Sequence, residues 1–184
     1  MDEKNRIFSF SPTSGKFSPN NITIPVDSKI SAMGTYLTYL YLADQKNNQI
    51  YRYPRAEGGF GEKTDWLKED MGFSDMTGFA MNENIFVSSK DSAVKLFRGK
   101  KEAFDLEKTA TPLEISAMEL GKQSGEIFIL DKENSRVIRF DGQGRIQKQY
   151  YHPEIGSASG ISIDEKVSLI YFNTDKEIKS IPLQ

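Results

Sequence analysis

Apolar residues in this chain come in short runs separated by polar turns, and the runs follow a fixed order. A small-residue segment comes first: Ser31-Ala32-Met33, Thr77-Gly78-Phe79, Ser116-Ala117-Met118 and Ser159-Gly160-Ile161. A strongly apolar segment follows, at Thr38–Ala43, Ile85–Ser88, Glu126–Leu130 and Leu169–Phe172. Polar turns come next, at Asp44–Asn48, Ser89–Ser92, Asp131–Ser135 and Asn173–Lys176. A strand with a recurring apolar pair then leads to a more polar fourth segment, as at Glu62–Leu67, Glu102–Leu106 and Ile146–Tyr151. These runs are strand-length, and no segment shows a sustained helical period. Only Thr64–Met71, around Trp66, suggests a short helical turn, and it lies where a strand is expected.

The recurring pair is Ile7 with Phe10, Ile50 with Tyr53, Val94 with Phe97, Val137 with Phe140 and Ile178 with Ile181. Its steps are 43, 44, 43 and 41 residues. Four strands per period of this length predict the blades of a β-propeller. The fold class is therefore all-β: a propeller arc of about four four-stranded blades. The chain reads as one domain, 1–184, with blades near 1–27 (partial), 28–72, 73–111, 112–154 and 155–184 (partial). Middle strands such as Ile127-Phe128-Ile129-Leu130 are apolar on both faces, as neighbouring blades require. Ala32, Gly78, Ala117 and Gly160 suit the crowded strand nearest the axis. Both chain ends offer a third strand, so two readings follow: part of a longer propeller, or an open arc that pairs with another copy through exposed blade edges.

Composition narrows the classes. Lys and Arg total 24 against 26 Asp and Glu, a net charge of −2 without a basic block. That gives no field for nucleic acid or for an anionic membrane. No apolar run has the length of a membrane span, so no direct membrane insertion is expected. The start Met1-Asp2-Glu3-Lys4-Asn5-Arg6 has no apolar region after its charges and is not a signal peptide. As it stands the chain reads as cytoplasmic, or outward-facing if an upstream part carries an anchor. Cysteine is absent, which excludes disulfides and thiolate chemistry.

The stretch Asp131-Lys132-Glu133-Asn134-Ser135-Arg136-Val137-Ile138-Arg139-Phe140-Asp141-Gly142 resembles the NHL repeat, in which a strand ends in Asp and a turn carries Asn and Arg. Asp44-Gln45-Lys46-Asn47-Asn48-Gln49 is similar with Gln49 in place of Arg, and Asp2, Asn5 and Arg6 match as well. Ser89-Lys90-Asp91-Ser92 departs from the pattern. The resemblance implies a divergent NHL-type propeller, and such propellers are mostly interaction domains. Six-bladed relatives such as lactonases imply the alternative, a hydrolase or lyase with a metal in the channel.

Candidate sites are few. Ser31, Thr77, Ser116 and Ser159 are expected to line the channel, or to bond adjacent strand ends. Asp131 and Glu133 sit two apart but lack the further carboxylates and central Gly of a calcium loop, so no metal site is expected. The lone histidine, His152, precedes Pro153 in a connecting loop and supplies neither a metal set nor a triad. Glu57-Gly58-Gly59-Phe60-Gly61 is no phosphate loop, since it lacks the Lys-Ser/Thr ending. It is a wide turn, with Phe60 either anchoring a partner or tucked against Tyr53 or Trp66. Asn21-Ile22-Thr23 fits a glycosylation acceptor. The expected function is a non-catalytic binding or scaffold module, including the sensor part of a larger protein. It recognises a protein or glycan through Phe60, His152 and loops on one propeller face. No catalytic residue and no cofactor are expected.

Overall fold

The computed structural model describes residues 1, 2 and 6–183; Asn5 of the repeat pattern lies outside them. The chain is all-β and divides into two compact units, Met1–Ser74 and Asp75–Gln184.

The first unit holds a hairpin of β1 (Phe8–Ser11) and β2 (Lys16–Pro19), and a sheet of β3 (Ile30–Tyr36), β4 (Tyr39–Asp44), β5 (Gln49–Ala56), β6 (Gly59–Phe60) and β7 (Thr64–Asp65). The sheet is an antiparallel meander ordered β3-β4-β5-β6, with β7 also on β5. The fourth strand expected at Glu62–Leu67 is thus split into β6 and β7. Wide Gly-rich chain between β5 and β7 leaves only two paired residues in each piece. No helical turn forms at Thr64–Met71. Leu40 and Leu42 of β4 and Tyr51 and Tyr53 of β5 pack with Ile7 in one core, flanked by Ile22, Ile24, Ile30 and Phe60.

The second unit carries three sheets. β8 (Gly78–Met81), β9 (Ile85–Ser88), β10 (Ala93–Phe97) and β11 (Lys100–Glu102) form one, and β12 (Ala117–Leu120), β13 (Ile127–Asp131), β14 (Arg136–Phe140) and β15 (Ile146–Tyr151) form the next. The third has β16 (Gly160–Asp164), β17 (Leu169–Asn173) and β18 (Ile178–Pro182). A 3-10 turn, Pro153–Ser157, joins β15 to β16.

Strand β13 shows why its sequence is apolar throughout. Ile127 and Ile129 join Ala80, Phe86 and Ala93 of the preceding sheet in one core. Phe128 and Leu130 join Ile163, Ile170 and Phe172 of the following sheet in another. Alternation in a strand sends neighbouring side chains to opposite faces, and both faces here are covered. The first strands crowd together: β12 lies beside both β8 and β16. A Cβ on Gly78 would stand 2.5 Å from Ser88 Oγ and 2.9 Å from Met118 Cβ, so only glycine fits there. Glu165, after β16, accepts the Gln123 N–H at 2.6 Å and the Ser124 N–H at 3.0 Å, tying successive sheets together.

The turn residues of the repeat are structural. Asp131 is fully buried and accepts from Asn134 Nδ2 and from Arg136 Nε at 2.7 Å. Arg136 also donates to Gln149 Oε1 at 2.9 Å and to Thr111 O at 3.0 Å. In the first unit Asp44 takes the same place and accepts the N–H of Lys29, Lys46 and Asn47. Gln49, standing for arginine, accepts the Leu67 N–H at 2.8 Å and donates to Leu67 O. Burial alone would raise the Asp44 carboxyl pKa, but hydrogen bonds including those from Asn47 and Lys29 outweigh it and hold it at about 2.

Candidate ligand groove

The first-strand hydroxyls mostly bond to the ends of second strands. Ser31 Oγ donates to Ala43 O at 3.3 Å, Thr77 Oγ1 to Ser89 O at 3.0 Å, and Ser159 Oγ to Asn173 O at 3.3 Å. Ser159 Oγ also accepts from Asn173 Nδ2 at 2.6 Å. Ser116 is tied through its backbone, its N–H donating to Leu130 O at 2.8 Å. These bonds tie the start of each first strand to the end of the second. His152 caps the 3-10 turn: its Nδ1 accepts the Glu154 N–H at 3.3 Å, and its ring lies 5.5 Å from that of Phe172. It belongs to the second unit and Phe60 to the first. Among the described residues no cluster of three or more His, Asp or Glu could hold a metal ion.

Phe60 has more around it. It follows the turn at Glu57-Gly58, and it is half-buried against the core that contains Tyr53. The extended segment from Asn21 to Pro25 runs alongside. Asn21 N–H donates to Gly58 O at 3.2 Å, and Phe60 N–H donates to Asn21 O at 3.1 Å. This pairing needs glycine between them: Gly59 has φ of +152°, and a Cβ there would lie 2.6 Å from both Asn21 N and O. Tyr53 Oη anchors the same segment by donating to Thr23 O at 3.0 Å. Burial, with smaller contributions from nearby Tyr51, Asp44 and Asp65, pushes the Tyr53 phenol up to about 12, so it stays a donor throughout the neutral range.

Between segment and loop lies a groove of about 680 Å³ lined by Asn21, Ile22, Thr23, Pro25, Phe60, Gly61, Glu62 and Lys63. Its floor is apolar: Ile22, Pro25 and Phe60. Its rim is polar: Asn21, Thr23, Glu62 and Lys63. Arg55 stands over the Phe60 ring at 5.4 Å, a cation–π contact. Lys63 Nζ is 2.7 Å from Asp65 Oδ1 and 4.5 Å from the Tyr51 ring, which fixes its position beside the groove. Sequence reasoning singled out Phe60 but not the walls. Asn21 and Thr23 stood out only as a glycosylation acceptor, and Glu62 and Lys63 carried no signal.

No family profile and no curated protein matches this chain. Solved structures do. A streptogramin B lyase superposes with a TM-score of 0.57 at 19% identity, over 97% of this chain and 62% of its own length. The virginiamycin B lyase of Staphylococcus aureus gives 0.58 at 11% identity, over 98% and 64%. A protein of Bacteroides uniformis provisionally named 6-phosphogluconolactonase gives 0.63 at 11% identity, over 95% and 58%. At such identities the likeness shows the fold: the sheets are blades of a β-propeller. The chain spans about three fifths of the length of these structures.

One expectation is corrected. The sequence suggested a chain that is not an enzyme, yet the structures it resembles carry the names of lyases and of a lactonase. The fold therefore includes enzymes. Absence of a local catalytic motif was a poor guide, because a propeller can assemble a site from single residues on several distant blades.

Proposed function

We propose that this chain is the ligand-binding part of a β-propeller and that the groove beside Phe60 holds a glycan. The observation that carries this reading is the groove's make-up. An aromatic and two aliphatic side chains form a floor suited to the apolar face of a sugar ring. An amide, a hydroxyl, a carboxylate and an ammonium at the rim match its hydroxyls. The two edges are preorganised by the Gly59 bridge and the Tyr53 hydroxyl, which lowers the ordering cost of binding. The turn pattern at Asp44 and Asp131 supports an NHL-type propeller, a class used mainly for recognition.

A second reading is favoured by the names of the similar structures: a lyase or hydrolase acting on a cyclic ester-like substrate, as part of a longer propeller. Screening the purified protein on a glycan array, then titrating hits by calorimetry, separates the two. Retention of a glycan that is weakened about tenfold by Phe60→Ala or Glu62→Gln supports the groove. Glu62 lies outside the core, so its variant tests the site without disturbing the fold. Hits bound equally well by both variants would sink the groove reading. Turnover of a lactone or of a streptogramin B would favour the second.

A further inference from the structure

Arg52 of β5 holds a buried donor without an acceptor. Its Nε makes no hydrogen bond among the described residues, and its Cζ lies 4.9 Å over the Tyr39 ring. The ring attracts the charge but offers no oxygen to that N–H. A charged donor left unpaired in this way is costly, and native proteins rarely keep one without a use. Residues paired across strands share a face, so Arg52 lies in one row with Gly34, Tyr41 and Thr64, and Tyr36 faces Tyr39 beside it. No carboxylate is among the residues paired across this face. Burial raises the Tyr41 phenol, and Arg52 beside it offsets only part of the rise. Trp66 meets the Tyr41 ring edge-on at 5.9 Å. Leu40 and Leu42, which pack in the core that Phe60 flanks, point to the opposite face, so this arginine stands apart from the glycan groove.

The repeat shows what an arginine takes at this position. Counted from Asp44 and Asp131, Arg52 corresponds to Arg139 of β14, and Tyr39 to Glu126. Arg139 Nε donates to Glu126 Oε2 at 2.9 Å, and its Nη2 lies 2.8 Å from the same oxygen. Glu119 continues that row, opposite Phe128 as Gly34 is opposite Tyr41. The first unit therefore keeps the arginine and lacks both carboxylates. A ring stands in place of one and a bare glycine in place of the other. Tyr39 and Arg52 are both half-buried, at the open end of the row.

We propose that Arg52 binds the carboxylate of a small ligand, which supplies from outside the group that Glu126 supplies to Arg139. The Tyr39 ring turns aside as the ligand enters. The carboxylate then accepts from Nε and from a terminal N–H, the two-pronged geometry that a guanidinium favours over a point charge. The body of the ligand lies over Tyr41 towards Gly34, where no side chain stands. A sugar acid and an acidic amino acid offer the same group, and the two are separated by titration.

Calorimetric titration of the whole chain uses two matched pairs of probes: methyl glucuronide against methyl glucoside, and N-acetylglutamate against N-acetylglutamine. One acid should bind about tenfold more tightly than its neutral twin, and Arg52→Gln should abolish the difference. The acid that wins identifies the source as a sugar acid or an amino acid. If neither acid outbinds its twin, ordered water satisfies Nε and the proposal is overturned; an advantage that survives in Arg52→Gln overturns it as well. A second measurement needs no ligand. Tyr39→Glu recreates the pairing of Glu126 with Arg139 inside the first unit, and Tyr39→Gln removes the ring without adding charge. The Glu variant should melt about 2 °C or more above the Gln variant and should lose the preference for acids. Equal melting of the two would show that Arg52 does not accept a carboxylate there, against the proposal.

Discussion

Arg136 is 2% exposed and Asp131 is fully buried, so their ion pair lies out of reach of water. Replacing Arg136 with Met keeps volume and apolar contacts but leaves the Asp131 carboxylate without a countercharge. It also strips donors from Gln149 Oε1 and Thr111 O. Breaking a buried pair from one side typically costs about 3–5 kcal/mol. Asn134 still donates to both carboxylate oxygens, which puts the expected loss at the lower end, about 3 kcal/mol. Arg136→Gln should cost less, because Gln49 performs the corresponding task in the first unit by bonding both backbone groups of Leu67. Removing the charge as well, in Asp131→Asn with Arg136→Met, should recover about 1 kcal/mol or more of the loss. Urea unfolding followed by far-UV circular dichroism measures all three. An Arg136→Met protein within about 1 kcal/mol of wild type, or a double variant no more stable than Arg136→Met, would refute the reasoning.

Other outcomes follow from single contacts. Gly78→Ala should destabilise by about 1–3 kcal/mol, since its methyl group would meet Ser88 Oγ and Met118 Cβ well inside contact distance; thermal melts check it. Glu165→Ala should cost about 1–2 kcal/mol by freeing the buttressed amides of Gln123 and Ser124, and faster amide exchange at both would locate the effect. Asp44 has a depressed folded-state pKa, so its stabilisation is present above the unfolded value near 4 and is lost as pH falls towards 2. That loss is worth about 2 kcal/mol, and in Asp44→Asn the acid limb of the stability–pH curve should be correspondingly shallower.

The sequence by itself determined the repeat, the all-β class and the structural role of the turn residues. Each of these rests on short-range physics. A strand covered on both faces must be apolar at every position, as at Ile127–Leu130, and a turn closed by its own Asp and Asn needs no distant partner. Glycine at 58 and 59 was legible for the same reason: the local backbone demands it, with φ of +73° and +152°. Only the tertiary structure decided where the groove lies, because its walls come from segments almost forty residues apart. They are joined by a single parallel bridge that leaves no periodic trace. It also showed the hydroxyls of Ser31, Thr77 and Ser159 bonded to second-strand ends, which composition alone left open. Repeating contacts write a period into the chain, whereas a site made once, between non-repeating segments, does not.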